Sequence, residues 1–227
     1  MEAVKLSKII APTFAGVHQD IKRHRHTHYW LKGGRGSTKS SFISVEIPLG
    51  MMRDAGKGQY TNAIVMRRYG VTLRESVFEQ IGWAINALGV AELWKSSVSP
   101  MSWTYLPTGQ RIIFRGADDP TKVKSIKFAV GWAKYLWYEE VNEFEGAEKI
   151  RSINQSVLRG GADFFAFYSF NPPKAARNWV NPVCGRRTGG HPGASLHLSD
   201  CSAGMAGRAV HCGGGAPQDR KAGGLPP

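Results

Sequence analysis

Apolar residues recur along the first 180 positions at two alternating periods, one helical and one extended. Phe14, Val17 and Ile21 share one stripe of a short helix expected over residues 13–22. Residues 28–32 read as a short strand and 33–37 as a glycine-rich turn. A helix beginning near Thr38 carries Phe42, Val45 and Leu49. Pro48 is expected to kink or weaken its last turn, and Gly56 and Gly58 to end the segment. Residues 62–66 are apolar enough for a buried strand. Over 73–88, Val77, Ile81, Ala84 and Leu88 fall on one helical face. Residues 102–106 and 111–114 flank Pro107-Thr108-Gly109 and read as a hairpin. An apolar run over 135–138 ends in two glutamates, a helix is expected over 147–159, and 164–170 is a final buried strand. Strands alternating with helices predict a three-layer α/β fold around a largely parallel sheet.

This pattern stops near Val180. No Phe, Tyr or Trp follows Trp179, and the remainder is rich in Gly, Pro, Ala and Arg. So little apolar surface does not offset the entropy of ordering. The expected organisation is therefore one domain over residues 1–180 and an irregular, low-complexity tail over 181–227, disordered or read in a shifted frame. The three cysteines, Cys184, Cys201 and Cys212, all lie in that tail. They form no C-x-x-C pair, which argues against zinc, and the folded part needs no disulfide. His24, His26 and His28 alternate within a basic run, and a solvated lead-in to a strand is favoured over a metal site.

Charge narrows the partners. The net charge is +13 over 227 residues, and the excess persists without the tail, which suits a polyanion such as nucleic acid. No signal peptide opens the chain and no apolar run is long enough to span a bilayer, so the cytoplasm is the expected setting.

The chemistry sits at three strand ends. Gly33-Gly34-Arg35-Gly36-Ser37-Thr38-Lys39-Ser40 lies between a strand and a helix, the context a phosphate-binding loop requires. Small residues let backbone N–H groups face phosphates, and the helix N-terminus adds partial positive charge. Lys39 would reach the β- and γ-phosphates of ATP, and the Ser40 hydroxyl would ligate Mg²⁺. Thr38 stands where the G-x-x-x-x-G-K-[ST] pattern has its last glycine, which a β-branched residue tolerates only at negative φ. The plain alternative is a glycine-rich turn capping a helix.

Tyr135-Leu136-Trp137-Tyr138-Glu139-Glu140 is an apolar strand ending in paired carboxylates, with Glu139 a hundred residues after Lys39 (139 − 39). In phosphate-loop ATPases the first such acid holds Mg²⁺ and the second polarises the attacking water. Here Glu139 takes the first role and Glu140 the second. The alternative is a strand end meeting a solvated acidic loop, since Glu143 and Glu145 follow. Phe164-Phe165-Ala166-Phe167-Tyr168-Ser169-Phe170-Asn171-Pro172-Pro173 is a buried strand running into polar residues. Ser169 and Asn171 suit a sensor of the γ-phosphate, and an ordinary Asn-Pro turn is the plain alternative.

Residues 33–41, Tyr138-Glu139-Glu140-Val141-Asn142-Glu143-Phe144 and Ser169-Phe170-Asn171-Pro172-Pro173 resemble the ATPase motifs of phage terminase large subunits, in the branch of defective prophages and related tailed phages. Two connecting segments resemble that branch as well. One is Val65-Met66-Arg67-Arg68 leading to Thr72-Leu73-Arg74-Glu75-Ser76-Val77-Phe78. The other is Phe114-Arg115-Gly116-Ala117-Asp118-Asp119-Pro120 leading to Lys124-Ser125-Ile126. The resemblance spans about residues 5–180.

The resemblance implies a RecA-like phosphate-loop NTPase with an additional strand and a catalytic glutamate (ASCE). ATP would sit on Gly33 to Ser40, and hydrolysis would drive double-stranded DNA into a procapsid. It implies that Arg35 contacts the γ-phosphate and that Ser169, Phe170 and Asn171 form the coupling motif. Expected partners are duplex DNA, a small terminase subunit, the capsid portal and further copies in a ring, in the host bacterial cytoplasm. Arg67, Arg68 and Arg159 are further candidates for phosphate or subunit contacts, with solvated surface arginines the favoured reading. A metal nuclease domain is not expected, because only Asp200 and Asp219 follow Val180, with no strands around them. The alternatives are a helicase-like ATPase, or a prophage remnant that folds without doing the work.

Overall fold

A computed structural model describes residues 4–118, 123, 126–158, 160–161, 163–185 and 195–198. Among them eight strands form one sheet: β1 (His28–Lys32), β2 (Thr61–Arg67), β3 (Trp94–Val98), β4 (Met101–Tyr105), β5 (Gln110–Gly116), β6 (Trp132–Glu139), β7 (Phe165–Phe170) and β8 (Ser195–Leu198). Their order across the sheet is β3-β4-β5-β2-β6-β7-β1-β8. From β5 to β8 every neighbour is parallel, and only β3–β4–β5 is antiparallel. The helices are α1 (Ala15–Lys22), α2 (Lys39–Ala55), α3 (Glu79–Ala87), α4 (Ala147–Val157) and α5 (Val180–Gly185).

Burial explains this arrangement. All six residues of β7 are buried, as are six of the seven in β2, so both faces of the central sheet are covered. One core joins Val17, Phe42, Val45 and Ile81 to Val65, Trp137 and Phe167, on the side of α1–α3. The other joins Ile150 and Ile153 of α4 to Ile64, Leu136 and Tyr138. The expected three-layer α/β architecture is therefore present. No helix among the described residues is long and apolar enough to cross a membrane.

Several local expectations need correction. Pro48 does not weaken the end of α2; it lies buried inside a helix that runs on to Ala55. The segment over 73–88 is not one uniform helix. Its first part, Arg74–Phe78, is a π-helical turn in which the Phe78 N–H donates to the Leu73 carbonyl at 3.0 Å. That wider turn lets Val77 and Phe78 both reach the core, where Phe78 meets Phe114 edge-on at 5.3 Å. The hairpin over β4 and β5 has a partner in β3, a strand with no apolar alternation to announce it. His28 is not part of a solvated lead-in. It stacks on Tyr168 and hydrogen-bonds its hydroxyl at 2.9 Å, and burial depresses its pKa to about 4.

Strand β8 lies in the stretch expected to hold no strand, and it extends the sheet beside β1, with His28 opposite Ser195. Asp200, Cys201, Cys212, Asp219 and Arg159 lie outside the described residues.

Candidate nucleotide-binding site

The carboxyl ends of β1, β6 and β7 lie side by side, since β7 sits between the other two. In an open parallel sheet this edge is where ligands bind. The loop over 33–40 leaves β1 there and turns into α2. It is tied to the sheet by the Gly33 N–H, which donates to the Phe170 carbonyl at 3.2 Å, and it closes on itself from Ser37 N–H to the Gly34 carbonyl at 3.3 Å. Gly36 needs its lack of a Cβ, because its φ is +78°.

Thr38 departs from expectation. Its φ is +56°, not negative, so a β-branched residue adopts the left-handed conformation that the last glycine of the pattern would adopt freely. Such a residue stores about 1–3 kcal/mol of strain. Its side chain is exposed, and its carbonyl accepts the first helical bond, from Phe42 N–H at 2.9 Å, which holds it there.

The predicted site residues converge through side-chain bonds. Lys39 Nζ donates to Asn171 Oδ1 at 2.8 Å, across 132 residues of sequence. The Ser40 hydroxyl donates to Glu139 Oε1 at 2.8 Å, and the Ser169 hydroxyl donates to the other oxygen, Oε2. Asn171 Nδ2 donates to Glu140 Oε1 at 3.1 Å. Phosphate loop, acidic pair and polar strand end are thus one network. Ser37 and Lys39 are buried, whereas Arg35 and Gly36 are exposed at the loop's tip.

Glu139 carries the clearest electrostatic signature. Burial pushes its carboxyl pKa up, and the charge of Glu140 adds to this, against the hydrogen bonds from Ser169 and Ser40 and the charge of Lys39. A buried carboxylate faced by hydroxyl oxygens offers hard oxygen donors, the set Mg²⁺ prefers, so the residues fit that ion. Glu140 follows with φ +51°, which turns the chain out of β6 into the 3₁₀ turn Val141–Glu143.

Phe170 stands apart from Ser169 and Asn171 beside it. Its side chain is fully buried in the α4-side core, so only its backbone meets the loop over 33–40. Trp137 was missed by the sequence reading. Its indole N–H donates to the Ser169 hydroxyl at 2.7 Å and orients it towards Glu139. The available signal was a tryptophan inside an apolar strand, whose N–H must find a partner when buried.

Arg68 is not a solvated arginine: it donates to the Glu143 carbonyl at 2.7 Å and lies 4.9 Å from the Tyr69 ring centroid. Arg67 is partly buried too. The two connecting segments run side by side, Ala117 N–H donating to the Arg67 carbonyl at 2.9 Å and Asp118 N–H to that of Arg68 at 3.0 Å.

The sequence matches the phage terminase large subunit family over residues 25–186. The chain belongs to that family. It is 44% identical over 187 residues to the large terminase subunit of Bacillus phage SPP1, covering 81% of this chain and 43% of that protein. It is 31% identical over 126 residues to the PBSX phage terminase large subunit of Bacillus subtilis, covering 55% of this chain and 27% of that protein. The chain therefore spans less than half the length of these relatives.

Solved structures of large terminases share the fold. That of a thermophilic bacteriophage superposes with a TM-score of 0.59 at 11% identity, over 76% of this chain and 41% of that one. The ATPase domain of a Thermus phage large terminase gives 0.53 at 15% identity, over 80% and 79%. The expected phosphate-loop NTPase fold is thus that of a large-terminase ATPase domain.

Proposed function

We propose that this chain hydrolyses ATP as the motor domain of a DNA-packaging terminase, coupling hydrolysis to translocation of double-stranded DNA into a procapsid. The observation that carries this reading is the convergence of Lys39, Ser40, Glu139, Glu140, Ser169 and Asn171 in one network at the carboxyl edge of the sheet. The backbone N–H groups of Gly33 to Thr38 cradle the phosphates. Lys39 exchanges Asn171 Oδ1 for the β- and γ-phosphates, so binding releases Asn171. Ser40 and, through water, Glu139 would hold Mg²⁺, which would supply charge neutralisation for the transferring phosphoryl group. Glu140, freed from Asn171, takes the proton of the attacking water. Ser169 and Asn171 then link the state of the site to β7, and exposed Arg35 reaches over the loop to the γ-phosphate. A motor of this kind grips duplex DNA through its phosphates without reading sequence.

The same proposal assigns the ATPase to residues 1–180. It gives the chain a small terminase subunit, a capsid portal and further copies in a ring as partners, in the host bacterial cytoplasm. The test is steady-state ATP hydrolysis by the full chain, with and without duplex DNA, beside Glu140→Gln. The variant should bind ATP and turn over at least about 10²-fold more slowly, the usual loss for a positioned proton-transfer group. Folded wild-type protein that binds no nucleotide, or a Gln variant as fast as wild type, overturns the reading.

A further inference from the structure

Arg67 is the last residue of β2. The preceding residue, Met66, pairs with Tyr138, so Arg67 stands beside Glu139 on an adjacent parallel strand about 4.8 Å away. Strand alternation puts Arg67 on the face that carries Val65 and Trp137, the α2 side of the sheet. Ser40 and Ser169 meet the Glu139 carboxylate on that same side. On the other flank its register partner in β5 is Gly116, and the space a Cβ would take there is filled by the Asp118 carboxylate and the Gly70 backbone.

The side chain is partly buried, and its Nε is shut off from solvent with no hydrogen-bond partner. No acceptor or carboxylate among the described residues pairs with the guanidinium. Other cations of the sheet are treated differently. Arg68 has the Glu143 carbonyl, Arg111 the Ser102 hydroxyl, Arg115 the Phe114 carbonyl, and Lys134 the carboxylates of Asp54 and Asp163. A guanidinium drawn partly out of water without an acceptor is destabilising, because its desolvation is uncompensated. An anion delivered to the carboxyl edge would remove that penalty, and the planar fork of Arg suits phosphate oxygens.

We infer that Arg67 contacts the terminal phosphate of a nucleotide bound in the same subunit, as a second arginine acting with Arg35 of the loop. The inference rests on the nucleotide-site reading above. Its chemical content is discrimination: a contact to the terminal phosphate of ATP is absent with ADP.

The test measures binding of a non-hydrolysable ATP analogue and of ADP to the full chain, to Arg67→Gln and to Arg67→Lys, with melting temperatures and duplex DNA affinity alongside. The Gln variant should lose about tenfold or more in analogue affinity, the scale of a charged hydrogen bond. Its ADP affinity should not change, its melting temperature should hold or rise, and Lys should restore part of the loss. Analogue and ADP affinities falling together with the melting temperature overturn the inference in favour of a structural role. Unchanged nucleotide binding with weakened DNA binding overturns it in favour of a DNA-phosphate contact. Wild-type protein that binds neither nucleotide removes the nucleotide site itself, a failure distinct from both.

Discussion

The two ends of the parallel sheet both bury charge, and they treat it in opposite ways. At the amino end Asp54, from the last turn of α2, accepts from Lys134 at 3.2 Å, Tyr135 at 2.8 Å and Thr61 at 2.9 Å. Lys134 has a second carboxylate in Asp163 at 3.0 Å, and Gln110 closes the set by donating to the Thr61 carbonyl at 2.6 Å. Each charge there faces a fixed opposite charge, with Lys134 shared between the two carboxylates. At the carboxyl end Lys39 is held by a neutral amide and a hydroxyl, Glu139 by hydroxyls, and the buried Nε of Arg67 by nothing among the described residues. Charges completed from within the fold serve the fold. Charges left to be completed from outside mark where a ligand belongs.

The sharpest way to break this comparison is at the amino end. Lys134→Met leaves Asp54 buried without its cation, which should lower unfolding free energy by about 3–5 kcal/mol. Denaturant unfolding measures it. Adding Asp54→Asn removes the orphaned charge, so the double variant should recover part of the loss. Protein that remains folded should bind nucleotide as before. A Lys134→Met variant as stable as wild type would show that the network contributes no net stability.

Lys39→Ala makes the complementary change. It removes a buried charge whose hydrogen-bond partners, the Asn171 amide and the Ser37 hydroxyl, are both neutral, so the melting temperature should hold. Nucleotide affinity should fall about tenfold to a hundredfold, the range for losing charged hydrogen bonds to phosphate. Titration of each variant with a fluorescent nucleotide reads the difference. Loss of stability with intact binding would invert the assignment of the two ends.

How legible these ends were in the sequence follows from the range of the interactions. The loop over 33–40 was legible as a strand-to-helix turn because its signal is local: eight consecutive residues between β1 and α2. Strands β2, β6 and β7 were legible as apolar runs because both their faces are covered. The amino-end network was not. Lys134 sits just before the apolar run that begins at Tyr135, and the approach of Asp54 and Asp163 is what makes a buried lysine tolerable there. Strand β3 buries Trp94 and little else, so no alternation betrayed it. Thr38 was misjudged because propensity forbids what loop closure enforces. Arg67 read as surface because its burial depends on the packing of three strands.

Glu139 gives the finest test, through pH. Its folded pKa is raised above the ordinary carboxylate value of 4.5, chiefly by burial. In the window between those two values the folded chain binds more protons than the unfolded one. Stability from this group is therefore full below the ordinary value and is lost as pH rises through the folded one. Glu139→Gln removes the titration while keeping an acceptor for one of the two hydroxyls; the other must turn to accept from the new amide N–H. The variant should gain on wild type as pH rises from 4.5 towards neutrality, and the two should converge in acid. Paired denaturant titrations across that range measure the gap. A gap that does not change with pH would mean that water or a neighbouring charge already compensates the carboxylate. The contrast between the two ends of the sheet would then rest on Lys39 and Arg67 alone.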